Sequence, residues 1–315
     1  MKAASARASA ARAARGAKAA RGRAASVAKA GNGPEASAAE PGNGRADSAG
    51  KAGAKEARGR GAFTARAASG KAARRRAAST ASAISGAKGS TAGEPVAYRI
   101  LAATDLHADE EAAEKVLRAF STKKFDALLV LGDVTDNGPV SFALGFMESA
   151  GALNAKVFAV PGNMDPPEVL AMLEARGASI HAKKVSLSGG WELAGFGGSP
   201  RAGRGPTEFS EEEIYSGLRA LGIGKNTVVA SHSPPFGVSG FDTVPGGASV
   251  GSESLRRIME EKKPAALVCG HIHENEGIAR IGETLVVKVA PAFAGRAAEI
   301  ALGGGKSVKA ELIRI

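Results

Sequence analysis

The chain has 315 residues, room for one large domain or two modest ones, and its formal charge of +11 is unevenly placed. Residues 1–93 carry 19 Lys and Arg against 4 Asp and Glu, whereas residues 94–315 carry 23 against 27, so the first piece is +15 and the second −4. The single cysteine, Cys269, excludes an intramolecular disulfide and a Cys-rich zinc or iron–sulfur site, and no run of 18 apolar residues offers a transmembrane helix.

Residues 1–93 are almost entirely Ala, Gly, Ser, Arg and Lys, with Phe63 as their one aromatic and no leucine. So little apolar surface cannot offset the entropy of ordering the backbone, and the segment reads as a disordered tail. The same composition also suits a basic arm that gathers polyanions nonspecifically, densest at Arg74-Arg75-Arg76, an organellar transit segment, or an over-extended gene start. The first 30 residues lack the apolar core of a secretory signal. Together with the lone cysteine, this gives the expectation of a cytoplasmic protein.

The character changes at Val96. Residues 96–103 form an apolar run ending in Thr104-Asp105, which predicts a strand. In 109–120, Ala112, Ala113, Val116, Leu117 and Phe120 recur at helical spacing. Strands are predicted again at 127–131 and 155–160, with helices at 141–150 and 168–174, the last stopped by Gly177. This β-α-β-α rhythm with continuously apolar strands implies a sheet covered by helices. Beyond it, 184–187 and 192–196 read as a hairpin, 211–221 as a helix, and 227–230, 265–268, 285–289, 297–301 and 308–313 as strands. More strand and less helix in this half suggests two sheets packed face to face with helices outside.

Five apolar strands end in polar groups: Asp105 and His107, Asp133, Asn163, Ser231-His232, and Gly270-His271-Ile272-His273. Ligands of open α/β sheets bind beyond the carboxyl ends of the strands, so these side chains can converge although 168 positions separate Asp105 from His273. Imidazole and carboxylate together suit Mn, Fe, Co or Zn, and seven ligands are too many for one tetrahedral ion. Two ions bridged by one carboxylate would use them, an arrangement that activates water and clamps the oxygens of an in-line displacement. Gly132, Gly162 and Gly270 directly precede Asp133, Asn163 and His271, where a residue without Cβ lets the chain turn sharply into a crowded site.

The pieces Asp105-Leu106-His107, Gly132-Asp133, Gly162-Asn163-Met164-Asp165, His232 and Gly270-His271-Ile272-His273 resemble the motifs of the calcineurin-like metallophosphoesterase superfamily, in particular its small microbial phosphodiesterase-like branch. The resemblance implies a four-layer α/β/β/α sandwich over residues 94–315. It implies two divalent ions, Mn first among Fe, Zn, Co and Ni. Asp105, His107, Asp133 and His273 would hold one ion, and Asp133, Asn163, His232 and His271 the other. Asp133, Asn163 and His232 would act with a metal-bridging hydroxide in an in-line attack on a small phosphoester, most simply a phosphodiester. Phosphomonoesterase and nuclease activities, and a non-catalytic phosphate-binding scaffold, are the alternatives within the fold.

One position departs from the pattern. The family's common form has a histidine where this chain has Met164, and a thioether has no proton to give a leaving group. Asp165, which would orient that histidine, is then expected in a supporting or turn role. Asp136 or Asn137 could face the pocket or a metal-bound water, and the preferred reading is a turn capping the approach to the helix near Ser141. Arg201 and Arg204, in the Gly/Pro-rich loop 197–206, are read either as plain solvent-exposed arginines or as candidates to grip phosphate. The insert 233–251, with Phe236, Phe241 and Asp242, is expected to wall the substrate pocket, and Cys269 to be a core residue.

Overall fold

The structure, a computed structural model, describes residues 95–315. The expectations for the tail, and the domain boundary at 93/94, lie outside the described residues. In chain order the elements are β1 (Val96–Ala103), α1 (Glu110–Thr122), β2 (Ala127–Val130), α2 (Val140–Ala152), β3 (Val157–Ala159), α3 (Pro167–Ala175), β4 (Lys183–Ser186), β5 (Glu192–Phe196), β6 (Ser199–Pro200), β7 (Glu208–Phe209), α4 (Glu211–Ala220), β8 (Thr227–Ser231), α5 (Glu253–Lys262), β9 (Ala266–Cys269), β10 (Gly277–Ile281), β11 (Thr284–Lys288), β12 (Arg296–Gly303) and β13 (Val308–Arg314).

Two large sheets form. One has the order β13-β12-β1-β2-β3, the other β10-β11-β9-β8-β5-β4. Alternation along the strands sets the layers, because successive side chains point to opposite faces. On β1, Ile100 and Ala102 enter the core between the sheets, where Leu129, Val228, Ala230, Val268 and Val287 meet them. Leu101 and Ala103 point the other way, onto Val116 and Phe120 of α1 and Phe146 of α2. On the second sheet, Val229, Leu267 and Val286 face Leu218 of α4 and Ile258 of α5. The result is the expected α/β/β/α sandwich.

Local signals start the helices. Asp109 caps α1 by accepting from Ala112 N at 3.0 Å, and Ser210 and Glu213 close a capping box on α4. The reading of Asp136 and Asn137 as a cap is corrected: α2 is preceded by Pro139 with no side-chain cap. The turn itself is present: both residues are exposed, and Asn137 turns the chain at φ 55° and donates its N–H to Met164 O at 2.9 Å. Among the described residues, no helix is long and apolar enough to cross a membrane.

Candidate metal centre

Strands β1, β2 and β3 run parallel, as do β5, β8, β9 and β11. Their carboxyl ends therefore gather at one edge of the sandwich. Backbone hydrogen bonds knit these ends together: Asp105 N to Gly132 O at 3.0 Å, His107 N to Asp133 O at 2.9 Å, and Gly270 N to His232 O at 2.9 Å. Two glycines permit the approach. A Cβ on Gly162 would collide with the Asp133 carboxylate and backbone, and one on Gly270 with the Thr104 side chain. Asp105, His107, Asp133 and His271 all have positive φ, between 48° and 76°. That conformation costs non-glycine residues on the order of 1–3 kcal/mol each and persists where surrounding contacts fix it.

The seven residues singled out in the sequence come together. Asp105, His107 and His273 have donor atoms all within 4.8 Å of one another, and so do Asp133, His232 and His271. Asp133 lies between the two groups: its Oδ2 is 3.3 Å from His232 Nε2 and 3.7 Å from His107 Nε2. Asn163 Oδ1 is 3.0 Å from His232 Nε2, and His273 Nε2 is 3.3 Å from Asp105 Oδ1.

This cluster is short of positive charge. Asp105 and Asp133 are buried to 0% and 2% exposure. Burial opposes ionisation of Asp105, yet the imidazoles of His107 and His273 hold it well below the usual carboxylate range. Burial likewise disfavours charge on His232, but the Asp133 carboxylate outweighs it and lifts that imidazole to about 9. His271 is pushed down to about 3 by burial and by His232 beside it. His107 Nε2 is buried with no hydrogen-bond partner, an orphan of the kind that calls for an ion. Buried carboxylates, an amide oxygen, clustered imidazoles and no thiolate fit two divalent cations.

A supporting shell aims these groups. His232 Nδ1 pairs with Leu131 O at 2.8 Å, which turns Nε2 toward Asp133. Asp133 Oδ1 accepts from Met164 N at 2.8 Å, leaving Oδ2 to face the imidazoles. Asp105 Oδ2 accepts from Thr104 Oγ1 at 2.7 Å and His271 N at 3.1 Å. Asp165 has the supporting role expected of it. Its carboxylate accepts from Thr135 N at 2.8 Å, Thr135 Oγ1 at 3.0 Å, Gly162 N at 2.9 Å and Val134 N at 3.3 Å, so it clamps the two loops that carry Asp133 and Asn163.

Lys288 was not legible as a site residue. It sits inside the apolar strand β11 at 0% exposure. Its ammonium donates to Ile272 O at 2.6 Å, Val289 O at 3.0 Å and Asn275 O at 3.2 Å, and so anchors the backbone between and beyond His271 and His273. A lysine in a buried strand was itself the signal. Phe293, 41% exposed, was also missed; its ring packs edge-on against His107 and His273, with centroids 5.7 and 5.2 Å apart.

The two arginines part company. Arg201 is exposed and reaches Glu213 Oε2 at 3.4 Å, whereas Arg204 lines a cavity of about 540 Å³ beside His271. The insert walls that cavity through Val244, Pro245 and Val250. Phe236, Phe241 and Asp242 do not line it: Phe241 packs into the core under α4 and α5, Asp242 is buried within the insert, and Phe236 is on the surface. Cys269 is a core residue, with its thiol pushed up to about 12 by burial.

Residues 98–275 match the family model described as calcineurin-like phosphoesterase. An uncharacterised protein of Methanocaldococcus jannaschii is 33% identical over 200 residues, 61% of this chain and 88% of that one. A solved structure from Thermus thermophilus aligns at TM-score 0.55 and 17% identity, covering 69% of this chain and all of its own. A dimetal phosphatase from Danio rerio aligns at TM-score 0.50 and 12% identity, covering 70% and 99%. At such identities the two structures establish the fold alone. The family match takes in more than half of the chain and all seven clustered residues, so the chain belongs to the calcineurin-like phosphoesterase family and is a dinuclear-metal hydrolase of phosphoester bonds.

Proposed function

We propose that this hydrolase is a phosphodiesterase acting on small substrates. Asp105, His107, Asp133 and His273 would hold one ion, and Asp133, Asn163, His232 and His271 the other. When bound, two such ions act as Lewis acids on phosphoryl oxygens and lower the pKa of the attacking water. The chain's own contribution is placement. Met164 N and Leu131 O fix the Asp133 carboxylate and the His232 ring, and Asn163 presents its amide oxygen to the same space. Arg204, which lines the cavity beside His271, would grip a pair of non-bridging phosphate oxygens. Met164 has no proton for the departing oxygen, so the leaving group departs with its charge.

The observation that carries the diester reading is the cationic complement of the substrate cavity. Among the described residues, Arg204 is the one Lys or Arg lining it, since Arg201 turns to Glu213. One guanidinium matches the single charge of a diester better than the double charge of a monoester. The test is kcat/KM for aryl phosphodiesters and the matching aryl monoesters on metal-reconstituted protein. The diesters should be faster, and log rate should fall steeply with leaving-group pKa. Met164→His should flatten that slope by restoring a proton donor, an effect of roughly 10²–10⁴-fold on alkyl leaving groups at the upper end. Preference for monoesters, or a shallow slope in the native protein, would contradict the reading.

The donor set of carboxylates, imidazoles and an amide, without thiolate, supports Mn²⁺ as the native ion; reconstitution with Fe, Zn, Co or Ni compares the others. The single buried, unpaired cysteine supports a cytoplasmic setting. The +15 charge of residues 1–93 supports a nonspecific polyanion contact, which predicts salt-sensitive binding that is lost on truncation.

A further inference from the structure

Resting on the diesterase reading, we infer that the cavity beside His271 receives an apolar ester arm, so that the substrates are phosphodiesters with one aliphatic or aryl group and not nucleic-acid strands. At about 540 Å³ the cavity is of ligand size. Six of its lining residues are Pro200, Ala202, Val244, Pro245, Val250 and Ile272. The polar remainder is Ser199, Arg204 and His271, and of these Ser199 spends its hydroxyl on the adjacent Pro200 carbonyl at 3.3 Å. Among the described residues, no Phe, Tyr or Trp ring and no amide or carboxylate side chain lines the space; the planar groups there are His271 and Arg204, which the diesterase reading commits to the metal and the phosphate. A sugar or base placed there would find few partners on the apolar wall, whereas an alkyl or aryl arm would lose water where it lies against that wall.

The wall is built in advance. In the insert, Asp242 Oδ2 accepts from Gly237 N at 2.9 Å and Gly251 N at 3.3 Å, closing the loop at its base. Thr243 and Ser249 form an antiparallel bridge, and Val244 N donates to Ala248 O at 3.0 Å, which turns the tip. Asn275, two residues past His273, donates its side-chain amide to Gly240 O at 2.8 Å and Thr243 O at 3.4 Å. The loop bearing His271 and His273 and the apolar wall are thus fastened to each other. Val250, 38% exposed, presents apolar surface for an arm to cover.

The experiment is a series of aryl phosphodiesters sharing one leaving group, with methyl, butyl, hexyl, octyl and phenyl second arms and one nucleoside second arm, on full-length protein with metal. We expect kcat/KM to rise about fourfold per buried methylene and then level off once the cavity is full, with the nucleoside arm poorer than butyl. Val250→Asp should collapse the octyl-to-methyl ratio toward one, and Val250→Ala should reduce it partway; the position is surface-exposed, and thermal melting checks the fold. Methyl diester turnover with no dependence on arm length, or a preference for the nucleoside arm, would overturn this inference and leave the diesterase reading standing. No turnover of any diester, with monoesters cleaved, would overturn both.

Discussion

Lys288→Met separates the stability of the domain from the geometry of its metal centre. Lys288 donates to two buried carbonyls, those of Ile272 and Val289, at 2.6 and 3.0 Å, and to the half-buried carbonyl of Asn275 at 3.2 Å. An orphaned buried acceptor costs about 1–3 kcal/mol, so the two buried ones are worth about 2–6 kcal/mol, and the Asn275 carbonyl can turn to water. Removing the ammonium also ends the cost of keeping a cation out of water, which is itself several kcal/mol; burial already pulls the Lys288 amine below its usual value. The two effects nearly offset, and global stability should change by no more than about 3 kcal/mol. The ligand loop has no such compensation. Ile272 lies between His271 and His273, and a carbonyl released there lets both imidazoles drift. A misplacement of about 1 Å can cost about 10²-fold in rate, and loss of a supporting partner typically costs 10–100-fold in metal affinity. The assay is Mn²⁺ titration by calorimetry and kcat at saturating metal, alongside thermal melting. Lys288→Gln, which keeps amide donors without charge, should recover part of the affinity. A folded Lys288→Met protein with native metal affinity and native kcat would refute the positioning role.

Gly162→Ala should abolish activity and metal binding together, because the added methyl collides with the Asp133 carboxylate and backbone; near-native metal stoichiometry in that variant would contradict the packing described. His181 gives a pH prediction away from the metals. Burial pushes it down to about 4, and its Nδ1 accepts from Gly197 N at 3.1 Å while its ring lies against Phe196 and Phe209. A histidine whose folded value lies below its unfolded value contributes fully above about pH 6.5 and loses that contribution as pH falls toward 4, by at most about 3 kcal/mol. Chemical denaturation of native protein and His181→Gln between pH 7 and 4 should show the smaller acid loss in the variant; equal slopes would refute it.

The framework of the fold was legible because its strands are continuous apolar runs. Val96–Ala103 and Ala127–Val130 send side chains into the cores on both faces of their sheet and stand out from any polar surroundings. The edge strand β10 was not, since Ile278 is 45% exposed and its neighbours alternate without a large apolar face. Helix α5 was missed although Ser252 caps it and Leu255, Ile258 and Met259 follow at helical spacing; the Gly/Pro-rich insert before it blurred its start. The candidate ligands were legible because histidine and aspartate at the ends of apolar strands have few structural uses. The apolar wall was not, because which of Phe236, Phe241, Val244 and Val250 face the cavity depends on how Asp242 folds the insert back on itself. Lys288 stood out as a lysine within a buried strand, but what it holds was hidden for a similar reason: its acceptors are main-chain carbonyls, which leave no mark in the sequence.

In the proposed arrangement Asp133 would serve two ions at once. Metal-stripped protein titrated with Mn²⁺ and followed by calorimetry and by hydrolysis of an aryl phosphodiester tests it most directly, with Asp133→Asn in parallel. The expected result is two ions per native chain, activity that appears only as both sites fill, and weakened binding at both sites in Asp133→Asn together with loss of most activity. A single ion per chain, undiminished hydrolysis by metal-free protein, or an Asp133→Asn protein that loses one ion and keeps the other at native affinity would contradict it.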